Sequence, residues 1–397
     1  MKQTLTLGFT CLLVSTASYA LPDDIQTNSS IQLKNLYSDR DFNQGESIGS
    51  WSQGVIYQDE IKKNFDQFSI SILPNLQYAY LLSSPKPLPD NIFKYDDTQL
   101  EQARDYAKLT VGLRFSNENH TLTLGDLKLN HPITAADPTR QLTPMYQGVQ
   151  YIFKNKAFGE LELGYVNKYS ARSEDKLTDL AISKKKSDGV YYVNYQQKQH
   201  PHWAYDIYLG DLQDLFYQFH LGVDYKNELL GFPNHLKLKY FNINDSGQSL
   251  LGDVQTSYYG VMNTLDMKPF VLGLGYQVID GNSNFYLLDQ AIPGTHFIHW
   301  TQGAFNKQDE KSYHVNAKLE LDRYVSGLSL NYRYIYGDNF KTAGQLNTEI
   351  ERDYIINYNA QEWLKGLNFQ IIYVNYDIAY GRSYDEVRAL TTYSLKF

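Results

Sequence analysis

In the stretch "GLSLNYRYIYGDN", every second residue is apolar or aromatic and the ones between are mostly polar. Extended backbone points successive side chains to opposite faces. Leu328, Leu330, Tyr332, Tyr334 and Tyr336 therefore share one face, and Ser329, Asn331, Arg333 and Ile335 share the other. "NHLKLKYFN" repeats the pattern, with Leu236, Leu238 and Tyr240 opposite Lys237 and Lys239. "SYHVNAKLELD" sets His314, Asn316, Lys318 and Glu320 against apolar neighbours. The last residues alternate as well, Val387, Ala389, Thr391, Tyr393, Leu395 and Phe397 on one side, Arg388, Leu390, Thr392, Ser394 and Lys396 on the other.

Segments of this kind recur along the chain. They predict strands at 30–37, 51–59, 67–80, 105–115, 120–129, 146–154, 158–168, 189–197, 203–210, 216–226, 235–242, 254–264, 269–279, 311–321, 327–337, 351–359, 367–377 and 386–397. The number is even and each segment approaches the ~9–11 residues a tilted strand needs to cross a bilayer. Odd-numbered connections are mostly long (81–104, 131–145, 169–188, 243–253, 280–310 and 338–350), with 210–215 as the main exception. Even-numbered ones are mostly tight, as in "SNEN", "KNKAF", "LDMKP" and "DRYVSG". Long loops on one side and tight turns on the other are what a membrane barrel with both termini in the periplasm requires. The predicted fold is all-β: an 18-stranded antiparallel transmembrane β-barrel with inward-folded constricting loops. A barrel this wide leaves an aqueous channel unless loops narrow it, and 131–145 and 280–310 are the segments to do so.

Composition agrees. The chain has 35 Tyr and 19 Phe with a mean hydropathy of −0.47, as expected when apolar and polar residues alternate one for one. No run beyond residue 20 approaches the ~18 apolar residues of a membrane helix. "MKQTLTLGFTCLLVSTASYA" combines a basic start at Lys2, an apolar stretch and small residues Ser18 and Ala20, the features of a signal peptide cleaved after Ala20. Residues 21–397 then form one barrel domain. Cys11, the only cysteine, lies in the leader without a lipobox, so the mature chain is expected to have no disulfide and no thiolate site. Without Lys2 it carries 35 basic against 44 acidic side chains, which disfavours nucleic acid as a partner.

Several stretches then resemble one family, the OprD porins or outer-membrane carboxylate channels. "LKNLYSDRDF" followed by "WSQGVI" is similar to the family's opening hairpin, and "DLKLNHPITAADPTRQLTPMYQG" resembles its constricting loop. "NKQDEKSYHVNAKLEL", "GLSLNYRYIYGDN", "ERDYIINY", "LKGLNFQI" and "DEVRALTTYSLKF" follow in the family's order. The resemblance implies a monomeric barrel in the Gram-negative outer membrane, among lipid and lipopolysaccharide, that passes small carboxylate-bearing nutrients along a row of basic lumen residues. Carried over residue by residue, that row is Lys34, Arg40, Arg114, Arg140, Arg333 and Arg388. Phe397 corresponds to the family's terminal aromatic, the assembly signal read by the barrel-insertion machinery. The chain departs from the family at Gln370 and Ile372, where relatives often carry inward arginines. In the long seventh loop, where some members place an acid that grips basic substrates, Tyr286 and Asp289 stand nearest as a counter-pole.

Other readings stay beside this one. The arginines would equally pair with lumen carboxylates and stiffen the wall. Tyrosines lining the lumen would suit a porin for neutral oligosaccharides, and a non-conducting structural or adhesive barrel needs no selective path at all. A lipid-acting barrel enzyme needs a serine or histidine on the outer wall, whereas His235 and His314 fall on the inner face. "GESIG" matches a nucleophile-elbow pattern but sits between two barrel strands. His296 and His299 have ligand spacing without a nearby carboxylate, so loop surface is the expectation there. Lys184 to Lys186 read as solvated loop, with lipopolysaccharide phosphate as the alternative. No catalytic residue, cofactor or metal is expected.

Overall fold

Alternating segments with one apolar face bury their backbone polar groups only if the sheet closes on itself. In the computed structural model it does. The structure describes residues 24–84, 86, 89–90, 92–96, 101–292, 296–298 and 302–397, so the leader, its cleavage point after Ala20, and His299 lie outside the described residues. The wall strands are β1 (Ser30–Phe42), β2 (Ile48–Gln58), β3 (Ser69–Ser83), β4 (Asp105–Ser116), β5 (His120–Leu127), β6 (Met145–Asn155), β7 (Gly159–Ser170), β8 (Val190–Gln197) and β9 (Trp203–Leu212). They continue as β10 (Phe216–Leu229), β11 (Phe232–Asp245), β12 (Gln255–Met267), β13 (Phe270–Gly281), β14 (Lys311–Glu320), β15 (Leu328–Thr342), β16 (Gln345–Asn359), β17 (Leu367–Ile378) and β18 (Tyr384–Lys396). Each pairs antiparallel with its sequence neighbours, and β18 pairs β1 from Lys396–Ser30 to Tyr384–Phe42, which closes the ring. Every predicted strand lies on one of these eighteen. Backbone bonds between Ser29 and Phe397 in both directions, each 2.9 Å, zip the two ends together.

The outer face carries large apolar side chains that a water-soluble protein would cover. Leu109 is 71 % exposed, Leu274 64 %, Val111 55 % and Leu209 51 %. Tyr78, Tyr80, Tyr191, Tyr259 and Tyr354 join them on that face, where amphipathic rings suit a lipid–water boundary.

One expected loop is absent. Residues 338–350 form no long connection: β15 and β16 run on to a two-residue turn at Ala343 and Gly344, whose φ values of 49° and 81° fit a hairpin turn. A register shift between Gly337 and Phe340, with Asn339 at φ 67°, breaks the alternation there. A bulge inserts extra residues, so the two-residue period ends while the strand continues. The first three residues of "GESIG" lie in the tight 43–47 hairpin turn and its last two open β2; Arg382 donates to the turn carbonyls of Gln44 and Glu46, both at 3.0 Å.

The apolar core lies inside the barrel. Tyr192, Tyr208, Phe241 and Tyr258 on the inner wall pack against Phe285, Leu288 and Phe297 of the 282–310 loop and against Leu180 and Ile182 of a small hairpin in the 171–189 loop. Burying one such ring contributes about 1.5–3 kcal/mol, which is how these two loops come to fill part of the lumen.

Candidate functional site: the lumen constriction

The 128–144 loop crosses inward and is held by wall residues. Lys34 of β1 donates its ammonium to the carbonyls of Pro138 (2.9 Å) and Arg140 (2.7 Å). Gln141 returns a hydrogen bond to the Lys34 carbonyl at 3.0 Å. Lys108 of β4 does the same work further along, reaching Thr143 O (3.1 Å) and Ala171 O (2.5 Å). Gln77 accepts from the Thr143 N–H at 2.9 Å. Arg172 of the 171–189 loop pairs with Asp137 and ties the two loops together. Burial alone would raise the Asp137 carboxyl, but Arg172 and the donors of Thr139 outweigh it and hold it below the usual carboxylate range. From the opposite side, Glu351 on β16 accepts the backbone N–H groups of Gln302 (2.9 Å) and Gly303 (2.6 Å), seating the 282–310 loop.

Between the two loops is a cavity of about 350 Å³. Loop residues Pro138, Thr139 and Gln302 face wall residues Lys34, Arg333, Asp353 and Arg388, and Ile355, Ile372 and Leu390 supply an apolar strip beside them. Arg333 and Asp353 are opposed across the β15–β16 ladder. Arg333 closes no ion pair or hydrogen bond with another described residue, which leaves its fork of donors to the cavity.

The structure thus gathers Lys34, Arg333 and Arg388 at one place, with different duties. Lys34 spends its ammonium on loop carbonyls. Arg388 and Arg40 share the Glu386 carboxylate. Arg140, a residue of the 128–144 loop, is buried, and burial together with the guanidinium groups of Arg388 and Arg172 pushes its pKa well down. Arg114 lies elsewhere, 3.3 Å from Glu60 in a recess that also holds Asp59, Asp126, Lys128, Glu160 and Glu162. Asp289 does not face the cavity: its carboxylate accepts the Ser183 and Lys184 N–H groups at 2.8 and 3.1 Å, capping the turn of the small hairpin. Tyr286 packs against the inner apolar cluster.

Sequence reasoning passed over Lys108, Arg172, Gln302, Asp353 and Glu386. Glu386 and Asp353 alternate correctly for the inner face and sit one strand from Arg40 and Arg333, so the pairing register was the missing signal.

His296 in the 282–310 loop is buried against His220, with ring centroids 5.9 Å apart. Burial, then the nearby charges of His220, Lys239 and His131, lower its pKa to about 3 against the opposing pull of Asp206. A histidine whose docked pKa lies below its free value stabilises the docked state above about pH 6.5, and that stability fades as pH falls toward the docked value. Acidification from pH 7 to 5 is therefore expected to loosen this loop and raise the frequency of current fluctuations in planar bilayers. His296→Phe should flatten that pH response; an unchanged response would assign it to another group.

A closed barrel with a lipid-compatible outside and a lumen narrowed by two seated loops is a membrane channel. The family model described as "outer membrane porin, OprD family" matches residues 25–397, and the chain belongs to that family of Gram-negative outer-membrane porins. Among solved structures, Acinetobacter baumannii OccAB4 is 32 % identical, covers 94 % of this chain and 98 % of its own, and superposes with a TM-score of 0.88. Pseudomonas aeruginosa OpdK, in a structure with vanillate, is 21 % identical with 94 % and 99 % coverage and the same TM-score of 0.88. The porin-like protein GalP of Pseudomonas putida is 22 % identical over 386 residues, 92 % of this chain and 91 % of that protein.

Proposed function

We propose that this porin passes small carboxylates with an apolar body and no strongly cationic tail. The observation that carries this reading is the Arg333 guanidinium, without an ion pair to another described residue, beside the Ile355–Ile372–Leu390 strip in the constriction. A guanidinium offers a carboxylate paired donors in a fixed fork, and the strip receives the rest of the solute. That OpdK was crystallised with vanillate, an acid of this shape, supports it. Passage is passive: each station must release as readily as it captures. Arg140 shapes the eyelet from within its loop and Arg114 stands as a separate station. The two caps of Asp289 argue for an acid without a second, cationic end.

In the same reading the leader 1–20 directs export, and the tight-turn rim with both termini faces the periplasm. Phe397, 60 % exposed at the tip of β18, is the aromatic handle for the insertion machinery, and the barrel works as a monomer amid lipid and lipopolysaccharide. The test is uptake of a labelled panel into proteoliposomes. Benzoate-like acids should enter ahead of neutral sugars and lysine, and Arg333→Ala should slow the acids roughly tenfold, the worth of one charge-assisted contact. Equal passage of sugars and acids, or acid flux indifferent to Arg333→Ala in a folded barrel, would refute the reading.

A further inference from the structure

Glu386 sits inside the basic row with its carboxylate fully engaged. One oxygen accepts from Arg40 Nε (3.0 Å) and Nη2 (2.6 Å). The other accepts from Arg388 Nε (3.1 Å) and Nη2 (2.6 Å) and from the Ser38 hydroxyl (3.1 Å). The register explains why. Arg40 lies opposite Glu386 and Ser38 opposite Arg388 on the β1–β18 seam, while Glu386 and Arg388 are two residues apart on one face. Glu386 is 1 % exposed and Arg388 5 %. Arg388 also reaches the 282–310 loop at Gln302 Oε1, 3.1 Å away, and lines the cavity between the two loops, so the trio adjoins the constriction.

We propose that Glu386 is a specificity-determining residue: a resident carboxylate that holds the donors a passing anion would otherwise claim. With it, Arg40, Arg388 and Glu386 together carry one positive charge; without its charge they carry two. The donors facing Glu386 are those that would hold a solute carboxylate longest, because bidentate, desolvated guanidinium contacts are the strong ones. Occupying them from within keeps the seam weakly attractive, favours rapid release, and moderates the preference for anions over cations. Arg333, which lies opposite Asp353 on the ladder but closes no ion pair with it, is left as the open station. The inference rests on the channel property of the family and holds whichever solute the porin carries.

The experiment is the reversal potential of single barrels in a potassium chloride gradient, with folding checked by migration of unheated samples on SDS gels. Glu386→Gln keeps the side-chain shape and removes its charge. It should raise the anion-to-cation permeability ratio on the order of threefold, as expected for one charge a few ångströms from the path in pore water. Arg40→Gln added to it should bring the ratio back toward wild type. If Glu386→Gln leaves two buried guanidinium groups too strained to fold, the double variant compared with Arg40→Gln alone reads the same charge, and the double variant should be the more anion-selective. A reversal potential indifferent to residue 386 in both backgrounds would overturn the proposal. Because the probe is potassium chloride, failure of carboxylate uptake would leave this result standing, and the two ideas can fail separately.

Discussion

Replacing Lys34 and Lys108 together by Met is expected to release the 128–144 loop from the wall and abolish discrimination among solutes. The two ammonium groups make three contacts to carbonyls of that loop, at Pro138, Arg140 and Thr143, and Lys108 makes a fourth to Ala171 of the adjoining loop. A hydrogen bond to a charged donor is worth about 1.5–3 kcal/mol, so each lysine is a principal clamp. Met keeps much of the apolar stem and removes only the donor. The barrel itself should survive, since neither contact belongs to the strand ladder. Planar bilayers should show larger and noisier open currents, and liposomes should take up neutral sugars faster than with the parent. Single variants should show intermediate effects, because the remaining lysine still holds the loop carbonyls on its side. Unchanged conductance in the folded double variant would mean that the inner apolar cluster seats the loop without the lysines.

Gly148→Val should prevent assembly altogether. A Cβ at position 148 would lie 1.9 Å from the Tyr165 carbonyl oxygen and 2.9 Å from the Val166 Cα. Both are backbone atoms of the neighbouring strand, at the point where the β6–β7 register shifts. Neither can move without breaking the ladder, so the penalty belongs with the severe cases, above about 4 kcal/mol. At Gly164 the clash is with the Tyr192 ring, at 2.4 Å, and a side chain can turn away. Gly164→Ala should therefore yield folded barrels of lower thermal stability, while Gly148→Val yields none on unheated gels. Folded Gly148→Val protein with an ordinary melting temperature would show that the bulge can be redrawn.

The contrast between those two glycines parallels what was legible beforehand. Strand positions, their alternation and the inward course of Arg333 were readable because a two-residue period is local, and lipid on one side with water on the other enforces it residue by residue. The period misled where it was interrupted. Between Gly337 and Phe340 a bulge hid a continuous hairpin behind what looked like a loop. It was also silent about the kind of apolar contact: Tyr192, Tyr208 and Tyr258 are tyrosines like those of the outer girdle, yet they face inward against Phe285 and Phe297.

Candidate residues divided along the same line. Their basic character and inner face followed from the chain, but their duties did not. Lys34 holds a loop, Arg40 and Arg388 hold Glu386, Asp289 caps a distant turn, and Arg333 stands open to the cavity. These roles depend on partners 346 residues away for Arg40 and Glu386 and 104 residues away for Lys34 and Pro138. Local alternation dictates which way a side chain points. What it meets there is decided only when the ring closes and the loops fold in, since register and loop seating are properties of the whole barrel.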